Sequence, residues 1–205
     1  VAVGVLRAAL TDHDWAVRVR AAQLLDQVAP GEDHASQMRP APLSDLDYTA
    51  PHLVDPSVST HVYIETERGT IQLELAVLDA PLIADNFVKL ARSGYYDGLV
   101  FHRVVTNFVV QGGDPRGDSE GGPGYTLRDE INQLPFLRGT LGLALDWRDT
   151  GGSQFFITRS PQPQLDGKYT AFGRVVDGME VVDQLRVGDL IERVLVWDGV
   201  QPLRR

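Results

Sequence analysis

The stretch FHRVVTNFVVQGGD, residues 101–114, places one arginine, Arg103, among Val and Phe, and one glutamine, Gln111, at its far end. The stretch reads as β-structure, and a strand rarely spends a guanidinium among apolar neighbours without a reason. Arginine stays charged, and its planar fork serves two acceptors at once. The chemistry on offer is hydrogen-bond donation rather than bond breaking. Other chemistries find less support. Ser153 and His102 do not make a hydrolase, because GGSQF is not a nucleophile elbow. The five His residues show no metal-binding spacing. The Gly-rich run GGDPRGDSEGGPG lacks the Gly-Lys-Ser/Thr of a phosphate loop, and Asp114, Asp118 and Glu120 would repel phosphate. Those acids also miss calcium-loop spacing. No metal or cofactor is expected.

The elements that must hold Arg103 and Gln111 follow from periodicity. HVYIETERGTIQLELA alternates Val62 and Ile64, then Ile71, Leu73 and Leu75, around a turn at Glu67-Arg68-Gly69. APLIADNFVKLARSGYY is helical, with Pro81 at its start and Ile83, Phe87 and Leu90 on one face. LVFHRVV, NFVVQGG, GTLGLAL, SQFFIT, AFGRVV and IERVLVW are short and β-rich, and GMEVVDQLRV is a second short helix. Eight short strands with two helices predict a mainly β fold, a closed eight-stranded antiparallel barrel capped by two helices. Neighbouring Phe155 and Phe156 then point to opposite faces.

Residues 1–29 read as a helical hairpin preceding the barrel. Asp12 or Asp14 offers the second helix a cap, and Val17, Ala21, Leu24 and Val28 fall on one of its faces, with Ala22 and Leu25 beside them in a wide apolar face. LTDHDWAVRVRAAQLL resembles one HEAT-type helical repeat. A lone repeat cannot bury both faces, so it is expected to end a longer array; the alternative is a plain hairpin docked on the main domain. Residues 30–60 form a Pro-rich linker, with Pro30, Pro40, Pro42, Pro51 and Pro56 breaking regular structure. Leu43, Leu46, Tyr48 and Leu53 are expected to lie against the domain of residues 61–205.

Charge narrows the partners. The net charge is −9, with acids in excess both before and after residue 60. Nucleic acid, which demands a basic face, is a poor partner, and so is an anionic membrane. No run reaches the roughly 18 apolar residues of a membrane helix. The chain has no Cys, hence no disulfide framework. A soluble protein is expected, its compartment left open between cytoplasm and periplasm.

Five blocks carry a resemblance: FHRVVTNFVVQGGD (101–114), GGPGYTLRDE (121–130), GTLGLAL (139–145), GGSQFFIT (151–158) and LDGKYTAFGRVVDGMEVVD (165–183). In order and spacing they resemble the cyclophilin family of peptidyl-prolyl cis-trans isomerases over about residues 61–200. The resemblance implies a substrate groove outside the barrel, Arg103 as catalytic guanidinium, and Gln111 bonded to the substrate backbone. Phe108, Val109, Phe156 and Leu165 would form the proline pocket. Ala144 and Leu145 would line the extended peptide, and Tyr169 would close the pocket. The implied partners are proline-containing peptides and unfolded or flexible protein clients.

The chain also departs from the family pattern. Gln164 stands where many members have Trp, which implies weak binding of cyclosporin. Tyr169 replaces a frequent His, Val109 a usual Met, and Leu145 a common Asn. The tyrosine variant is more usual among bacterial members, and 17 Arg against 2 Lys suits a GC-rich bacterial genome. Two functions stay open at this point: an active prolyl isomerase that assists folding, or a non-catalytic Pro-peptide scaffold that recruits partners through the HEAT-like segment.

Overall fold

The structure, a computed structural model, describes residues 2–12, 15–38 and 59–199. Helices α1 (Ala2–Ala9) and α2 (Trp15–Val28) pack on each other around Leu10, Ala21, Ala22 and Leu25. The structure buries the Ala21, Ala22 and Leu25 side of the expected wide apolar face. Val17 and Val28 are exposed, and Arg18 is 2 % exposed. Residues 18, 21, 22 and 25 form one i, i+3, i+4, i+7 row, displaced by one residue from the row of Val17. Arg18 tolerates this burial because its Nε donates to the Asp12 carbonyl oxygen. Asp14, the Pro-rich stretch from Pro40 to Pro56, and the apolar residues Leu43, Leu46, Tyr48 and Leu53 lie outside the described residues.

From His61 the chain is a single antiparallel sheet. Its strands are β1 (His61–Thr66), β2 (Gly69–Leu75), β3 (Arg103–Val104), β4 (Val109–Gly112), β5 (Thr140–Leu143), β6 (Phe155–Thr158), β7 (Ala171–Asp177) and β8 (Ile191–Trp197). Their order is β3-β4-β6-β5-β7-β2-β1-β8. The alternation in β1 and β2 sends Val62, Ile64, Ile71, Leu73 and Leu75 inward. Thr66 closes the hairpin turn, donating through Oγ1 to the Gly69 carbonyl at 2.8 Å and accepting from the Arg68 N–H at 3.1 Å.

The two sheet edges meet just before β3. The N–H groups of Gly98 and Phe101 donate to the carbonyls of Ile191 and Asp189, and that of Ile191 donates to Leu99. These bonds curl the sheet into a barrel and leave the short β3 at its rim.

Two helices cap the barrel. α3 (Pro81–Arg92) inserts Phe87 among Tyr96, Phe155 and Phe172, meeting Phe155 edge-on at 5.4 Å between centroids. No side chain of its own caps α3. The Glu130 carboxylate does so from a distant loop, accepting from the N–H groups of Leu82 and Ile83 at 3.2 and 2.8 Å. α4 (Met179–Gln184) adds Val181 and Val182 to the same core.

Candidate active site

The strand period of two separates two apolar clusters across the sheet. Val110, Phe155 and Ile157 belong to the interior core. Val109 and Phe156 belong to a second cluster, with Phe136, Leu165 and Ala171, against which Phe108, Ala144 and Tyr169 pack. This second cluster floors an external cleft of about 240 Å³. Arg103, Phe108, Val109, Gln111, Ala144, Leu145, Phe156, Leu165 and Tyr169 all line it.

Each wall has a local cause. Phe156 stacks on Phe136 at 5.5 Å, and Tyr169 and Phe156 form a T-shaped pair at 5.7 Å. Leu165 ends a short 3-10 turn, Pro163–Leu165, and its carbonyl accepts from the Tyr169 N–H at 3.2 Å, which links the two walls. Gly142 lies under the rings: a Cβ there would fall 2.4 Å from Phe156 Cζ and 2.7 Å from Phe136 Cε1. The aromatic floor therefore requires a residue without a side chain in β5. Beyond β5, the Ala144 N–H donates to the Gln154 carbonyl at 2.9 Å.

Arg103 and Gln111 are direct partners in the β3–β4 register. Arg103 Nη1 donates to Gln111 Oε1 at 3.1 Å, and the guanidinium carbon sits 5.8 Å from the Phe108 ring centroid. Among the described residues Arg103 forms no ion pair. The neighbouring His102 is held below its usual pKa by burial, against the pull of Asp114, with Arg103 adding to the lowering. An imidazole held neutral adds no second positive charge beside the guanidinium.

Sequence reasoning missed the support beneath this pair. Gln111 Nε2 donates to Gln154 Oε1 at 2.9 Å, and Gln154 Nε2 donates to the carbonyls of Ser119 and Gly121 at 3.0 and 2.8 Å. Gln154 stands two residues before Phe156, so the period of two already placed both on one face; the loop it bonds, some 35 residues away, gave no such signal. Phe136 was missed too, because it lies outside any strand. Gln164, in contrast, is exposed, donates to Gln162 Oε1 at 2.6 Å and does not line the cleft.

Comparison with known proteins agrees with this geometry. Residues 61–199 match the family described as cyclophilin type peptidyl-prolyl cis-trans isomerase/CLD. A peptidyl-prolyl cis-trans isomerase of Synechococcus elongatus is 52% identical over 139 residues, covering 67% of this chain and 96% of the relative. Peptidyl-prolyl cis-trans isomerase B of Bacillus subtilis is 44% identical, covering 68% of this chain and 99% of the relative. Among solved structures, a cyclophilin type isomerase of Cryptosporidium parvum superposes with a TM-score of 0.66 at 34% identity, over 71% of this chain and 100% of that one. The same protein solved in the presence of the dipeptide Ala-Pro gives a TM-score of 0.64 at 35% identity, over 68% and 99% of the two chains. With its barrel, its outer cleft and this match, the chain belongs to the cyclophilin family of peptidyl-prolyl cis-trans isomerases.

Proposed function

We propose that the chain turns X–Pro bonds by donation from Arg103 to the proline nitrogen while the outer aromatic cluster holds the ring. The observation that carries this reading is the placing of one guanidinium, tethered by Gln111 and Phe108, beside an apolar slot floored by Phe156. An X–Pro amide resists rotation because the nitrogen lone pair is delocalised into the carbonyl, with a barrier of roughly 18–20 kcal/mol. At the twisted transition state that delocalisation is lost and the nitrogen becomes a basic acceptor. A donor aimed at it favours the twisted form over both planar ones, which is differential binding. No bond breaks and no proton is transferred.

Magnitudes divide the work. A hydrogen bond from a charged donor contributes roughly 1.5–3 kcal/mol, or about one to two decades of rate. The remainder falls to the slot, where Val109, Phe156 and Leu165 fix the ring and exclude water. Gln111 holds the flanking backbone, and the main chain of Ala144 and Leu145 lines its extended path. The dipeptide present with the Cryptosporidium relative supports proline-containing ligands, extended here to flexible segments of protein clients. The outward position of Gln164 supports weak cyclosporin binding.

The assignment of residues 1–29 to a HEAT-like helical segment, 30–60 to a linker and 61–205 to the isomerase domain is part of this proposal. The small α1–α2 core supports the first of these. Among the described residues no helix is long and apolar enough to cross a membrane. Two-dimensional exchange NMR on an Ala-Pro-containing peptide tests the activity: cis and trans resonances should exchange rapidly with catalytic amounts of protein, and exchange at the uncatalysed rate would overturn the proposal.

A further inference from the structure

Phe108 ends the tight turn between β3 and β4, in which the Val105 N–H donates to the Val109 carbonyl at 2.8 Å and the Phe108 N–H to the Val105 carbonyl at 3.2 Å. Asn107, just before it, has a φ of 56°, a left-handed conformation sparsely populated outside glycine. The segment after β6 grips both peptide groups of Phe108. On one side, the Asn107 carbonyl accepts from Gln162 Nε2 at 2.9 Å and from Ser160 Oγ, and Gln162 Nε2 also donates to Ser160 Oγ at 2.8 Å. On the other, the Phe108 carbonyl accepts from the Arg159 N–H at 2.8 Å. Gln162 is 6 % exposed and does not line the cleft, yet it bonds two further residues of the slot. Its N–H donates to the Phe136 carbonyl at 2.7 Å, and its own carbonyl accepts from the Leu165 N–H at 2.9 Å. Its Oε1 accepts from Gln164 Nε2 at 2.6 Å, so every polar atom of Gln162 is used. A carbonyl can only accept, so the NH2 end of Gln162 has to face Asn107. Pro161 and Pro163 flank Gln162 and stiffen the frame that carries it; a residue before proline is kept out of the helical region, and Gln162 has φ −131° and ψ 65°.

We propose that Gln162 is a positioning residue: by tying the Asn107 carbonyl to the segment that carries Leu165, it holds Phe108 against Arg103 and so sets the direction of the guanidinium. This rests on the isomerase reading and adds to it a residue that touches no substrate. The path is short. The Asn107 carbonyl lies in the same peptide plane as the Phe108 N–H, so fixing one fixes where the Phe108 side chain leaves the chain. The Phe108 ring centroid is in turn 5.8 Å from the guanidinium carbon of Arg103. Without the amide of Gln162, the left-handed turn at Asn107 keeps only the Ser160 hydroxyl as a side-chain partner for its carbonyl.

The test is a double-mutant cycle between Gln162→Met and Phe108→Ala, run well below the melting temperature of each protein. It is read by kcat/KM for a proline peptide in exchange NMR and by the position of the Arg103 Nε–H resonance. Methionine keeps the side-chain length and the backbone bonds and removes only the amide. Gln162→Met should lower kcat/KM about fivefold, the scale of one hydrogen bond. It should also move the Arg103 resonance towards its position in Phe108→Ala, where the ring current is gone. In the Phe108→Ala background the same substitution should change kcat/KM by less than about twofold, because the residue it acts through is already missing. A lower Tm with kcat/KM and the Arg103 resonance unchanged would overturn the inference while leaving the isomerase reading intact, and so would an equal loss of kcat/KM in both backgrounds. If Gln162→Met does not fold, Ser160→Ala, which removes the other donor to the Asn107 carbonyl, takes its place in the cycle with the same expectations. If the wild type isomerises no peptide, the isomerase reading fails instead, and the Arg103 resonance decides alone: a position unmoved by the substitution would overturn the inference.

Discussion

Arg103 and Gln111 face each other across β3 and β4, and the side chain of one is the hydrogen-bond partner of the other at 3.1 Å. This explains how an exposed guanidinium keeps a fixed direction. One of its five N–H groups is spent on Gln111, the Phe108 ring steadies its face, and in the proposed mechanism the remaining donors serve the substrate. Gln111 is in turn oriented by Gln154, and Gln154 by two loop carbonyls. The chain of amides has one consistent sense, each oxygen accepting and each NH2 donating.

Gln154 is therefore a positioning residue whose loss should be felt at Arg103. In Gln154→Ala the Gln111 amide and the Ser119 and Gly121 carbonyls lose their partners. Of these three neutral hydrogen bonds, the one that orients Gln111, worth about 1 kcal/mol, should lower kcat/KM about fivefold, while the two to the loop should show mainly in stability. Steady-state kinetics on a proline peptide measures this. Because Arg103 stays but loses its set direction, Gln154→Asn, too short to reach both sides, should show a similar deficit rather than a rescue.

Gly142→Ala should distort the slot from below. The new methyl would collide with Phe156 and Phe136, and overpacking of this kind costs roughly 1–3 kcal/mol. The expected outcome is a lower Tm together with a raised KM, since the displaced ring lines the cleft proposed to hold the proline. Thermal melts and kinetics check both; a normal KM in a folded Gly142→Ala protein would contradict the placing of Phe156 in the slot.

Acid stability should depend on Asp189. Arg68 donates through Nε to Asp189 Oδ2 at 2.9 Å and through Nη2 to Oδ1 at 3.1 Å, pinning the β1–β2 turn to the segment that closes the barrel. The hydrogen bond from Arg68 holds the Asp189 carboxyl below its ordinary value, with burial opposing it. A depressed folded value means the contribution is present above the ordinary aspartate range and is lost as pH falls through the lowered folded value. Wild type should thus melt above Asp189→Asn at neutral pH, with the gap narrowing on acidification. Melting curves across a pH series would show a constant gap if the ion pair were not responsible.

The barrel was legible because alternation is a local signal: the sequence alone separates Val62 from Tyr63 and Phe155 from Phe156. The outer apolar cluster was legible for the same reason together with the family blocks. What stayed hidden is long-range or degenerate. Glu130 caps a helix 47 residues earlier, and no local pattern announces it. On α2 the sequence marked a wide apolar face, because Ala, Val and Leu surround the helix on most sides; the structure buries its Ala22 and Leu25 side and leaves Val17 and Val28 exposed. Gly142 reads as a weak point in a strand until the two rings above it are seen.

The central claim is that Arg103 stabilises the twisted amide rather than merely binding peptide. Exchange NMR on one proline peptide, comparing wild type with Arg103→Ala and Arg103→Lys, tests it most directly. The account predicts that Arg103→Ala stays folded and lowers the catalysed exchange rate at saturating peptide by roughly ten- to a hundredfold. Arg103→Lys should recover only part of this loss, because an ammonium cannot bond Gln111 and the proline nitrogen with one planar fork. An Arg103→Ala protein that exchanges saturating peptide at the wild-type rate, with only its affinity reduced, would contradict the account.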